Sequence, residues 1–531
     1  MRDFHLPGRS PVYSTHGMAA TAMPVATLTA LDVLRDGGNA LDAAVAAVAV
    51  LGVIEPQSTG IGGDCFCLYS PGGTGKIIAL NGSGRAPAAA TIDWFEQRGI
   101  DALENTSPHS VTIPGAISAW ETLLAAHGRK GLDELLQPAI RFAEEGWPVA
   151  DRVASDWAKS EDKLRRNGAE AFLPNGAAPR PGDLFVQRPL AETLRTIAKH
   201  GSKGFYEGPV AADMVATLRA HGGLHTEADF AAGRTVAEFV DPIRIGYRGH
   251  EVWQCPPNGS GLFVLMLLGI MEGFDPAPGG PLDPLRIHRH LEAARLVYRD
   301  RDAFLADPSQ VDVPVAKLTN PQYLAQLRNL IDDHRAMPHL PAPGEAMLPV
   351  HRDTTYLCVV DRDGNACSFI NSLFQGFGSG ILAANSGVMM QNRGFGFRVQ
   401  RGHPNCIAPN KRPLHTIIPG MVTKAGRTVM PYGVMGGHFQ PMGQTWFLSN
   451  MFDYGLDIQE ALDLPRIFPY QGKVEVERGI PKSTVEKLTA MGHQITAADR
   501  PHGGGQAIWI NPNGILTGGS EPRKDGIALG Y

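Results

Sequence analysis

Two adjacent threonines, Thr354 and Thr355, stand at an abrupt change in the character of the chain. Before them runs MPHLPAPGEAMLPVHRD, with prolines at 338, 341, 343 and 349, a stretch that cannot pack as a regular element. After them come aromatic and β-branched residues up to Val360, the composition of a strand covered on both faces. Hydroxyls at such a junction raise the question of whether the chain is cut there. A threonine hydroxyl is a poor nucleophile until a base takes its proton. A freed α-amino group, with a pKa of roughly 7.7–8.0, is partly neutral near pH 7 and can be that base from the same residue. No histidine is then required. Two threonines opening a strand are otherwise commonplace, so the surroundings must carry the argument.

The elements around this pair read as follows. Asp363-Gly364 supplies the positive φ angles of a tight turn, and Ala366 to Ser372 is the return strand of a hairpin. Met23 to Asp36 is a helix carrying Leu28, Leu31 and Leu34, stopped by Gly37-Gly38. Asn39 caps a second helix, NALDAAVAAVAVLGVIE, whose small and apolar residues all round mark it as buried. A glycine-rich loop, QSTGIGGD, leads into the strand CFCLYS, and Gly73 to Lys76 turns the chain into a strand from Lys76 to Asn81. Pro114-Gly115 starts a helix, and Leu132 to Glu238 is mostly helical. Tyr247 to Cys255 reads as one strand. Pro284 to Leu305 is a long amphipathic helix whose Glu292, Arg295, Arg299 and Asp300 form a solvated or ion-paired face. Tyr454 to Ile467 is a helix, Lys424 to Arg427 a polar turn, and the C-terminus two strands joined by Asn513-Gly514.

Several function classes drop out. A net charge of −5 without a basic run gives no footprint for a phosphate backbone, so no nucleic-acid partner is expected. QSTGIGGD fails the dinucleotide fingerprint because Cys65 takes the last glycine position, and Gly73 to Lys76 lacks the upstream glycine of a phosphate loop. Cysteines 65, 67, 255, 358, 367 and 406 show neither CxxC nor Cys/His spacing, so they read as free thiols. His288 and His290 point to different sides of their helix, which argues against a metal pair. No cofactor and no metal are expected. MRDFHLPGRSPVYSTHG has no apolar signal region and no eighteen-residue apolar run appears, so a cytoplasmic protein without a membrane partner is expected.

The pattern Thr-Thr, then Val-Val-Asp and Asp-Gly-Asn, with a hydroxyl residue ending the return strand, resembles the γ-glutamyltranspeptidase family of N-terminal-nucleophile hydrolases. GGNALDAAVAA, EPQSTGIGGDCF, SPHSVTIPGAISAWETLLAAHG, PPNGSG and the terminal Glu521-Pro522-Arg523 extend the likeness over most of the chain. The resemblance implies an α+β fold, the four-layer αββα sandwich. It implies a precursor that cuts itself between Asp353 and Thr354 into a large fragment, 1–353, and a small one, 354–531, which stay together as a heterodimer. Whether two such heterodimers pair is left open. Thr354 becomes the nucleophile. Ser372, eighteen residues on, falls where the family has a threonine bonded to that nucleophile. Gly436 and Gly437 fall on its oxyanion-hole glycines, where the missing Cβ lets backbone N–H groups reach the tetrahedral oxygen.

The substrate-reading positions depart from the family. Where γ-glutamyl enzymes hold an α-ammonium with Asn, Gln and Asp, this chain has Phe374, Arg393 and Gly396. An arginine repels an ammonium and pairs with a carboxylate. The family's Ser-Ser pair is His415-Thr416 here, and its substrate arginine aligns with Ser83, the nearest arginine being Arg85. The expected substrate is a small carboxylate-bearing amide, as in the oxamate amidohydrolase and acylase-like branches. The alternatives are γ-glutamyl transfer or glutathione hydrolysis, and, in another class, a silent scaffold that never cuts itself.

Overall fold

The hairpin read at Thr355 is the centre of one of two facing β-sheets. The computed structural model describes residue 5 and residues 8–340, 354–470 and 472–531, so Asp353, and with it the expected scissile bond, lies outside the described residues. The first sheet has seven strands, in the order Ile527–Gly530, Met18–Thr21, Thr355–Val360, Ala366–Ser372, Asp64–Ser70, Ile78–Gly82 and Glu238–Val240. The second runs Val12–Ser14, Leu516–Ser520, Gly504–Ile510, Arg427–Met435, Gly420–Lys424, His250–Gln254 and Ile243–Tyr247. Helices Pro24–Arg35, Ala40–Ile54 and Ala116–His127 cover the outer face of the first sheet. Gly261–Met271, Gln440–Phe452 and Ile458–Asp463 cover that of the second. The four-layer αββα sandwich is therefore present.

Local chemistry explains the central pieces. Asn39 accepts from the Leu41 and Asp42 amides while Asp42 reaches back to the Asn39 amide, a capping box that starts helix Ala40–Ile54. All fifteen residues of that helix are buried, as its composition requires. Thr355–Val360 and Ala366–Ser372 pair antiparallel with Thr355 opposite Asn371 and Val360 opposite Ala366, around Gly364 at φ +79°. Gly433 in the second sheet has no Cβ, which would lie 2.5 Å from Tyr356 Cε2; glycine lets the sheets close over the strand Thr355–Val360.

Two readings are corrected. Tyr247 to Cys255 is not one strand: Arg248 and Gly249, at φ +48° and +74°, turn the chain between Ile243–Tyr247 and His250–Gln254. Tyr454 to Ile467 is helical only over Ile458–Asp463, and Ile467–Tyr470 is a strand. On helix Pro284–Phe304 the ion-paired alternative for the charged face holds: Glu292, Arg299 and Asp300 are buried and Arg299 meets Asp300 at 2.7 Å. Five of the six cysteines are buried, and all are free. Among the described residues no helix is long and apolar enough to cross a membrane.

Candidate active site

The hairpin register decides which hydroxyl faces which. With Thr355 opposite Asn371, the preceding pair places Thr354 beside Ser372 on the face toward the second sheet, and their hydroxyl oxygens are 3.2 Å apart. Both residues are fully buried. The Ser372 oxygen also accepts from the Phe374 amide at 2.8 Å. The glycine loop before Asp64 presses on this point: a Cβ on Gly63 would sit 2.3 Å from the Ser372 carbonyl oxygen. The glycine-rich loop is thus a close-approach loop behind the hairpin from Thr355 to Ser372.

Arg393 joins the same cluster. Its guanidinium donates to Ser372 Oγ at 3.2 Å and to Thr416 Oγ1 at 2.8 Å, and its Cζ lies 4.2 Å from the centre of the Phe374 ring. Phe374 holds φ +82°, a left-handed conformation rare for an aromatic residue. Burial pulls the Arg393 guanidinium down to about 9, against the resisting charge of Asp64. Among the described residues no carboxylate lies within ion-pair reach of it, and its buried Nε has no hydrogen-bond partner.

Asp64 organises the far side of the arginine. One of its oxygens accepts from the Gly84 and Gly115 amides at 3.0 Å and from Gln391 Nε2 at 2.9 Å. The other meets His415 Nε2 at 3.1 Å. The Ile417 amide donates to His415 Nδ1, so the His415 proton sits on Nε2 and points at Asp64. Burial first, and the Arg393 charge second, push the His415 imidazole down to about 3; it is neutral at pH 7. Its ring stacks on Phe66 at 4.7 Å. His415 and Thr416 are thereby both brought to Arg393, one through Asp64 and one directly.

Gly436 and Gly437, at φ +124° and +56°, occupy conformations that favour glycine, and a Cβ on Gly436 would lie 2.9 Å from Gly503 Cα. The next residue, His438, meets the Phe374 ring edge-on at 6.2 Å, takes a hydrogen bond from Arg301 on Nδ1 at 2.9 Å, and accepts one from Tyr298 on its carbonyl. A chain of contacts thus runs from Thr354 through Ser372 and Phe374 to the glycine pair. Arg85 is placed elsewhere: its guanidinium goes to Asp307 at 3.3 Å and to the Asn410 carbonyl at 2.9 Å.

Sequence reasoning missed Asp64 and Gln391. The available signal was an aspartate opening a strand that is otherwise apolar, since a buried carboxylate must be met by donors.

Comparison with known proteins identifies the family. The family model described as Gamma-glutamyltranspeptidase matches residues 26–531. The chain belongs to the γ-glutamyltranspeptidase family. It is 36% identical to a glutathione hydrolase-like YwrD proenzyme of Bacillus subtilis (strain 168), over 98% of this chain and 99% of that one. It is 35% identical to an oxamate amidohydrolase proenzyme of Klebsiella pneumoniae, with the same two coverages. A crystal structure of cephalosporin acylase from Bacillus halodurans is 38% identical with a TM-score of 0.92, covering 100% of this chain and 99% of that one. As a γ-glutamyltranspeptidase-family member the protein is an amide-hydrolysing enzyme.

Proposed function

We propose that this enzyme cuts its own chain before Thr354 and then hydrolyses a small amide bearing a carboxylate close to the scissile bond, of the oxamate type. The observation that carries the substrate class is Arg393, a buried guanidinium with no carboxylate within ion-pair reach among the described residues, the Asp64 charge acting on it only from farther off. It lies two 3.2 Å contacts from the Thr354 oxygen by way of Ser372. A carboxylate there gains charge-assisted bonds, whereas an α-ammonium would be repelled. The short path also favours a short acyl chain. Thr416, bonded to the same guanidinium, and His415, which holds Asp64 behind it, complete the carboxylate side. Arg85, engaged by Asp307, is the weaker candidate for that role.

The chemistry takes three steps. The Thr354 hydroxyl attacks the Asp353 carbonyl; the C–N bond breaks as the C–O bond forms, and water hydrolyses the ester, leaving residues 1–353 and 354–531 as a heterodimer. The freed amine then takes the hydroxyl proton as Thr354 attacks the substrate amide, with the Gly436 and Gly437 N–H groups facing the oxyanion and Ser372 orienting the nucleophile. The proton passes to the leaving amine, and water releases the acyl group; an acceptor amine in place of water would make the step a transfer. The names of the oxamate amidohydrolase and cephalosporin acylase relatives support an acyl group other than γ-glutamyl. Purified enzyme should favour oxamate over glutaryl amides, and both over γ-glutamyl anilide, in kcat/KM. A strong preference for the γ-glutamyl compound overturns the proposal.

A further inference from the structure

Glu55 ends the buried helix Ala40–Ile54, is itself 2% exposed, and belongs to none of the groups described above. One of its carboxylate oxygens accepts the Thr355 hydroxyl, and the other accepts the Ser58 hydroxyl at 3.1 Å. Thr355 is the residue directly after the proposed nucleophile. Side chains alternate along a strand, so Thr354 faces the second sheet while Thr355 faces the helix layer. Anchoring the Thr355 hydroxyl in that layer therefore fixes the rotation of the strand at its first residue. That rotation aims Thr354 at Ser372.

A buried charged cluster lies beside Glu55. Asp156 faces four cations: Arg152 at 2.7 Å, Lys524 at 3.5 Å, Lys159 at 3.6 Å and Arg500 at 3.8 Å. Lys524 is 2% exposed, and its chain lies against Gly504 of the second sheet. Burial raises the Glu55 carboxyl; the Lys524 charge is the first influence opposing it, followed by the Thr355 and Ser58 bonds. Burial likewise pushes Asp156 up, but Lys524, Arg152 and Arg500 outweigh it and hold that carboxyl at about 2. Of that cluster, the Lys524 charge draws on Glu55 while the Asp156 charge opposes it.

We infer that Glu55 is a positioning residue for both the self-cut and the later turnover, acting through Thr355 within a buried cluster that includes Lys524 and Asp156. The inference rests on the proposal that the chain cuts itself before Thr354. The test follows conversion of the full chain to two fragments by intact mass over time, then kcat and KM of the matured enzyme. Thr355→Val and Glu55→Ala should slow the cut at least tenfold and lower kcat by a similar factor, with KM within twofold of wild type. Thr355→Ser, which restores the hydroxyl, should cut within threefold of wild type. Glu55→Gln, which keeps an oxygen for Thr355 but drops the charge, should fall between. Should Glu55→Ala fail to fold, Thr355→Val, lacking a single hydroxyl, carries the test. A wild-type chain that splits while Thr355→Val and Glu55→Gln split at its rate, with its kcat, overturns the inference even if their melting temperatures fall. A wild-type chain that never splits refutes the underlying proposal, and this inference with it.

Discussion

Replacing Arg393 with methionine separates what the guanidinium does for a substrate from what it costs the fold. Burial holds this base at about 9, below its ordinary value, so the fold disfavours its charged form. The sign follows: the penalty is fully present at neutral pH and lifts only in strongly alkaline solution, above the folded-state value. Methionine fills a similar volume without charge, and such replacements of buried charges are neutral or stabilising by about 1–4 kcal/mol. The melting temperature should therefore hold or rise. The substrate contact works the other way. Truncating one partner of a buried, hydrogen-bonded charge pair costs about 2–5 kcal/mol, which is about 30- to 5,000-fold in kcat/KM. Hydrolysis of a neutral amide of the same size should lose less, about tenfold, because only the guanidinium's hydrogen bond to Ser372 is removed. The assay pairs kcat/KM on oxamate and on the neutral amide with a melting curve, each with and without oxalate. Oxalate should stabilise the wild type and leave Arg393→Met unmoved. Equal losses on both amides, or a variant several degrees less stable, would refute the reasoning.

Three further predictions follow from the same geometry. Gly436→Ala should lower kcat by about 10²–10³ through displacement of the N–H groups proposed to face the oxyanion, because its Cβ would lie 2.9 Å from Gly503 Cα at φ +124°; steady-state kinetics with KM near wild type is the check. Asp64→Asn turns an acceptor met by two amides, Gln391 and His415 into a partial donor. It should destabilise the protein by about 3–5 kcal/mol in urea denaturation, the cost of breaking a buried charged network. His225 and His493 are held at about 4, and His290 and His415 at about 3, chiefly by burial, so all four are neutral in the fold at pH 7. The unfolded chain takes up those protons first, so the stability they contribute is present above pH 6.5 and is lost as pH falls toward 3. At pH 5 the loss is roughly 2 kcal/mol per histidine, read as a steep fall in melting temperature.

What the sequence revealed depended on whether a residue's environment was local. The hairpin from Thr355 to Ser372 was legible because β-branched runs around Asp363-Gly364 admit one local answer, and its register then set Thr354 against Ser372. The cap at Asn39 was legible for the same reason. Strands Met18–Thr21 and Ile527–Gly530 were not, since MAAT and IALG owe their pairing to each other across the whole chain rather than to strand propensity. The charges of helix Pro284–Phe304 stayed open between a solvated and an ion-paired face because their partners include the next residue in line and distant segments, as when the Met337 amide meets Glu292. At the site, the substitution of Arg393 for an acceptor was visible in the chain. Its support by Asp64 was not, because that support joins residues more than three hundred positions apart.

The central claim is that a backbone cut turns Thr354 into its own base. Intact mass of the purified protein measures it directly. The account predicts two species corresponding to residues 1–353 and 354–531, and one uncut, inactive chain for Thr354→Ala. A single full-length wild-type species that still turns over amides, or a Thr354→Ala protein that is cut and active, contradicts it.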